Sequence, residues 1–174
     1  MYDEKRELIS SYRAMPETLG VLLQDVTDDE TATRRGDAEW SIGEIVCHLL
    51  DAEQRTFERV TRIRDEDQPT LPVYPDDEYR GRSLARTLEA FDRLRNEHAR
   101  LLENLGREAW SRTGRHEAQG ELSILDITRH MAAHDAEHLA QIARQLRRDR
   151  PAPAQRHGRS RNARRSNGPG PAHQ

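Results

Sequence analysis

The chain has 174 residues, with 34% hydrophobic and 34% charged side chains and only 5% aromatics. Against typical values of about 45–50% apolar and about 25% charged, that is a lean supply of core residues. It suffices only if those residues are concentrated on narrow helix faces, and the shortage of aromatic and β-branched runs argues against a sheet protein.

The net charge of -3 conceals an asymmetry. From Arg147 onward there are eight arginines and one acid, so the first 146 residues carry a balance of -10. The body is acidic and the tail basic. A single cysteine, Cys47, excludes an internal disulfide framework and fits a reducing compartment. No signal-like opening and no apolar run of about 18 residues is present, so the expected location is cytoplasmic.

Residues 3–25 read as a first helix, with Leu8, Ile9, Tyr12, Met15, Leu19, Leu22, Leu23 and Val26 in a helical stripe. Pro16 removes a backbone donor inside it, which predicts a kink or two abutting helices. Residues 27–39 are polar and read as a connecting loop with room for a short turn. Ser41-Ile42-Gly43-Glu44 is a capping box that opens a second helix to about Arg64, buried along Ile42, Ile45, Val46, Leu49, Ala52, Thr56, Val60 and Ile63. His48 lies at the edge of that stripe.

Residues 65–83 hold Pro69, Pro72 and Pro75 and read as a long loop, able to join helices that are not nearest neighbours, with Tyr74 and Tyr79 available to shield a pocket. A third helix covers 83–105, from Leu84 through Phe91 and His98 to Leu105, and Gly106 stops it. Residues 107–121 read as a polar link with Trp110, His116, Gly114 and Gly120. Ser123-Ile124-Leu125-Asp126 caps a fourth helix running to about Arg148, which Pro151 ends. Four amphipathic helices predict an all-α four-helix bundle over residues 1–148. Residues 149–174, rich in Arg, Pro and Gly, carry no large apolar side chain and are expected to form a disordered tail.

The fourth helix holds His130, His134 and His138, four residues apart and so close to one face. An i, i+4 histidine pair can share one ion; a third ligand must come from elsewhere, and His48 is the best candidate. Three neutral imidazoles suit zinc, nickel, copper or iron and leave coordination positions free. Three consecutive turns of a straight helix do not converge on one point, so His130 is placed beside the site. Glu53, Asp135, Glu137 and Gln141 are candidates to orient the imidazoles, and Glu53 or Asp135 to act as a base. Cys47 adjoins His48 but points about 100° away around the helix, which gives it a packing role. Trp40, Trp110 and His98 read as anchoring or packing residues.

Trp40-Ser41-Ile42-Gly43-Glu44, then His48-Leu49-Leu50-Asp51-Ala52-Glu53, the Pro-bearing loop, and a late His134-Asp135-Ala136-Glu137-His138-Leu139-Ala140-Gln141-Ile142 resemble the DinB/YfiT superfamily over roughly residues 5–147. The resemblance implies an up-down-down-up four-helix bundle, often a homodimer, with a divalent metal such as nickel or zinc on His48, His134 and His138. It also implies a link to thiol S-transferases that use bacillithiol or mycothiol, and to damage-inducible proteins.

Three functions compete. A metal-dependent thiol S-transferase would take a small-molecule thiol and an electrophile, in detoxification or stress response. A metal-dependent hydrolase would use Glu53 or Asp135 as base, although no HExxH sequence is present. A non-enzymatic metal-binding protein is the third. The arginines of the tail can contact phosphates of nucleic acid, but the acidic body and the lack of interleaved aromatics favour a solubilising extension.

Overall fold

The computed structural model describes residues 2–34, 36, 39–74, 79 and 82–149. Five α-helices appear among them: α1 (Tyr2–Leu23), α2 (Asp28–Ala32), α3 (Ile42–Asp65), α4 (Leu84–Glu103) and α5 (Ile124–Asp149). Three short strands form one sheet in the order β1 (Thr70–Leu71), β2 (Thr113–His116) and β3 (Gly120–Ser123), with β1 parallel and β3 antiparallel to β2. The residues from Pro151 onward, where the disordered tail is expected, lie outside the described residues.

The four long helices make the bundle. α1 packs on α4 and α5, and α3 packs on the same two, so α1 and α3 stand diagonally. Cross-links fix their directions. Arg129 near the start of α5 bonds Glu4 near the start of α1, so these two run together. Lys5 reaches the carbonyl of Arg107 just past α4, which therefore runs against α1. Cys47 and Thr87 meet near the starts of α3 and α4, and Gln145 near the end of α5 donates to the carbonyl of Trp40 just before α3. The order is up-down-down-up. Because α3 and α4 are parallel neighbours, residues 66–83 must carry the chain from one end of the bundle to the other. That is why the loop is long.

Two of the expectations need correction. Of the two alternatives at Pro16, abutting helices are excluded: α1 runs as one helix through it, because Tyr12, Met15, Leu19 and Leu23 all bury on the same side and hold the turns together. The link at 107–121 contains a 3-10 turn at Ala109–Ser111 and the β2–β3 hairpin. Gly120 turns that hairpin with φ of 77°, which glycine adopts without steric cost. In the polar stretch before α3, Thr27 and Glu30 form a complete capping box on the five-residue α2.

The core falls into two apolar clusters, stacked along the bundle. Near the sheet lie Tyr12, Val60, Ile63, Leu71, Ala99, Leu102, Trp110, Ile124, Ile127 and Met131; toward the start of α3 lie Met15, Leu19, Leu23, Ile42, Ile45, Val46, Leu49, Leu50, Phe91 and Ile142. Each fully buried leucine or isoleucine contributes about 1.5–3 kcal/mol relative to exposure. Between the clusters sits a charged layer of Glu53, Arg95, His98 and Asp135, all buried. No helix among the described residues is long and apolar enough to cross a membrane.

Candidate metal centre

The start of α3 is held rigidly. Ser41 Oγ accepts from the Glu44 amide at 3.2 Å, and Glu44 Oε2 accepts from the Ser41 amide at 2.9 Å. Arg34 clamps the same carboxylate at 2.7 and 2.5 Å. These contacts, the arginine first, hold the Glu44 pKa at about 2 although burial opposes them. One turn further on, His48 leaves the edge of the buried stripe and faces α5.

There it meets His134 and His138, which the helical repeat sets one turn apart. His48 Nε2 lies 2.9 Å from His134 Nε2. The ring centroids of His134 and His138 are 4.4 Å apart, and those of His48 and His138 4.9 Å. One donor atom from each residue falls within 4.8 Å of the others, and this is the metal-compatible cluster among the described residues. An ion bound by imidazole at about 2.0–2.1 Å needs donors roughly 3.3 Å apart. The histidine donors, all within 4.8 Å of one another, lie near that spacing.

Their chemistry fits as well. Burial, then the neighbouring His138, His48 and His130 rings and Arg95, depress the His134 pKa to about 3, so its imidazole is a neutral donor at ordinary pH. His138 Nδ1 lies 2.9 Å from Gln141 Oε1, an acceptor that holds the proton on Nδ1 and leaves Nε2 bare. His48 Nδ1 lies 3.3 Å from Tyr79 Oη, which donates to Asp51 Oδ2 at 3.3 Å; Arg55 donates to the same oxygen at 2.7 Å. Trp40 covers the cluster, with its ring 4.8 Å from His48 and stacked toward His138 at 6.5 Å.

Glu53 and Asp135, the two carboxylates expected beside the imidazoles, are held away from them by the fold. Glu53 is fully buried, with Oε1 2.8 Å from His98 Nδ1 and Oε2 2.9 Å from Arg95. Asp135 pairs with Arg95 at 2.5 and 3.2 Å. Neither is free to serve as a base, because moving it out would leave a buried guanidinium unpaired. Glu137 is exposed on α5. His130 is exposed, its ring 6.4 Å from that of His134 and outside the cluster. Cys47 is buried with Sγ 3.7 Å from Thr87 Oγ1, and burial raises its thiol pKa, consistent with packing.

Asp51 was missed by the reading of the sequence. Its signal was available: it lies three residues beyond His48, on the same helical face. Tyr79 comes to the site as the aromatic shield expected of the loop; Tyr74 instead bonds Glu58 and packs against Arg55 and Arg59. His116 lies in β2 and accepts from the Ala118 amide at 3.2 Å. Beside the histidines, with Tyr79 as the shared wall, is a cleft of about 640 Å³ lined in part by Thr31, Arg34, Ser41, Glu44 and Arg82.

A helical bundle carrying a buried-edge histidine triad defines a class of metal-binding bundle proteins. The chain belongs to the DinB superfamily, whose family model matches residues 11–142. It is 29% identical over 147 residues to a Geobacillus kaustophilus protein named "Putative metal-dependent hydrolase GK0616", covering 80% of this chain and 83% of that one. A similarly named Oceanobacillus iheyensis protein is 19% identical over 145 residues, covering 80% and 84%. Among solved structures, YfiT from Bacillus subtilis superposes with a TM-score of 0.79 at 19% identity, covering 85% of this chain and 89% of that one. YfiT is described as "a probable metal-dependent hydrolase with an unusual four-helix bundle topology", and the likeness confirms the up-down-down-up fold.

Proposed function

We propose that His48, His134 and His138 hold a divalent metal, zinc or nickel, and that the protein is a metal-dependent S-transferase for a small-molecule thiol such as bacillithiol or mycothiol. The observation that carries this reading is the donor set. Three imidazoles converge with no carboxylate or thiolate among them, while Glu53 and Asp135 are held by Arg95. When bound, a metal on neutral ligands keeps its full positive charge and lowers the pKa of a thiol, so no protein carboxylate is needed to generate the nucleophile.

The residues of the chain supply the rest. Gln141 and Tyr79 orient the two outer imidazoles. Tyr79 Oη, backed by Asp51, is the polar pair at the rim that can hold the released proton. Trp40 keeps bulk water from the ring faces. The adjoining cleft has room for a thiol and an electrophile, with Arg34 and Arg82 on its wall. In the transfer, sulfur forms a bond to the electrophilic carbon and the leaving group departs with its electron pair. A stress-response role, a homodimer and a cytoplasmic location accompany this proposal. A second reading, hydrolysis, is favoured by the names of the relatives; it would require Tyr79 and Asp51, not Glu53, to manage the proton.

Two measurements test the proposal. Elemental analysis of protein purified without a metal-affinity tag should give one ion per chain, with zinc affinity reduced at least 100-fold by His48→Ala, His134→Ala or His138→Ala. Metal-loaded protein incubated with a panel of thiols and a general electrophile should form a metal-dependent adduct. Turnover of model esters without thiol, and no adduct with any thiol, would replace transfer by hydrolysis.

A further inference from the structure

The charged layer between the two apolar clusters is shared by all four long helices. Its centre is Arg95, on α4, a helix that contributes no histidine to the cluster. The guanidinium is fully buried, and it touches every helix of the bundle. On α3 it meets Glu53 at 2.9 Å; on α5 it meets Asp135 at 2.5 Å. On α1 it stacks over the Tyr12 ring at 4.5 Å, and on its own helix over Phe91 at 4.8 Å. His98, one turn along α4, fixes the second oxygen of Glu53 at 2.8 Å.

The two carboxylates are placed with respect to the ligands. Asp135 immediately follows His134, and Glu53 lies five residues beyond His48. A slide of α5 against α3 by one turn, about 5.4 Å, would keep apolar faces in contact in both clusters, since Ile, Leu and Met pack against one another with little preference. It would also separate His48 from His134. The charged layer forbids that slide, because either carboxylate would be left buried without its guanidinium.

Such a layer is a poor source of stability. Tyr12 Oη, Arg95 Nε and His98 Nε2 are all buried without a hydrogen-bond partner. Buried ion pairs are often matched or surpassed by apolar side chains of similar volume, and their best-attested use is to set register. We propose that Arg95 is the positioning residue of the metal centre: through Glu53 and Asp135 it locks α3 and α5 in the one register that brings His48 onto His134 and His138. The proposal rests on the metal reading for its consequence, although the register itself is a property of the protein without metal.

The test compares the intact protein with the triple variant Glu53→Leu/Arg95→Met/Asp135→Leu and with Arg95→Lys. The triple variant should keep its helical circular dichroism, with a lower melting temperature only to the extent that His98 Nδ1 loses Glu53. Its zinc affinity should fall at least tenfold, and its Co(II) visible spectrum should lose the intensity of a four-coordinate site. In the metal-free protein, the proton–proton contact between the His48 and His134 rings should weaken. Arg95→Lys, which keeps the charge but reaches only one carboxylate, should remain folded with an intermediate loss of affinity. It also decides the question if the triple variant does not fold. Parental zinc affinity and cobalt spectrum in a folded variant would overturn the proposal. A parent protein that binds neither zinc nor cobalt would refute the metal reading instead, and the ring contact would then decide the register.

Discussion

At the scale of the residue, His134 carries the clearest consequence. Its imidazole titrates near pH 6.5 when the chain is unfolded and near pH 3 when folded, because burial and then the surrounding rings and Arg95 disfavour the cation. Between those values the unfolded state binds the extra proton, so stability falls as pH drops from about 6.5 toward 3 and is unaffected by this group above that window. Denaturant midpoints of metal-free protein at pH 7 and pH 5 should therefore differ, and His134→Gln should reduce the difference. An unchanged difference in that variant would assign the pH dependence to other groups. His134 and His138 were legible because four-residue spacing on a helix has one geometric meaning. Glu53 and Asp135 were misread because acids near histidines look like partners. The clue lay in Arg95, which falls on the same helical stripe as Phe91, His98 and Leu102. A charge in a core position demands opposite charge, and those two acids supply it.

At the scale of the element, the long helices could be read from apolar period and caps. Ser41 with Glu44 and Ser123 with Asp126 both form the contacts their spacing implies. The same logic applied to Thr27 and Glu30 would have revealed α2, but five residues give no apolar period to support it. The β2–β3 hairpin was hidden for a different reason. Thr113-Gly114-Arg115-His116 has no alternation of large apolar and polar side chains, and its two inward positions are filled by glycine and histidine. Gly114 is buried there: a Cβ would meet Leu71 Cδ2 at 2.9 Å and Ile63 Cγ1 at 3.0 Å. Gly114→Ala should cost roughly 1–3 kcal/mol by overpacking and lower the melting temperature by several degrees. Thermal unfolding of that variant checks it; an unshifted melt would mean that Leu71 yields freely and the sheet is loosely seated.

At the scale of the whole molecule, the described fold ends with α5 at Asp149, and the basic segment follows. A chain ending at Asp149 should bind zinc as the full chain does, and melt within a few degrees of it. Loss of binding would place part of the metal centre in the tail and overturn the proposed boundary. The parallel pairing of α3 and α4 has a consequence for how the protein is made. His48 leaves the ribosome 86 residues before His134, and in that interval no contiguous pair of antiparallel helices can enclose it. Tyr79, delivered by the crossing loop, and His138, midway along α5, arrive on opposite sides of the α4 sequence. No nascent fragment that lacks α5 contains the centre. Assembly of the histidine cluster thus waits for α5, and a ribosome stalled before residue 134 would display His48 without His134 and His138.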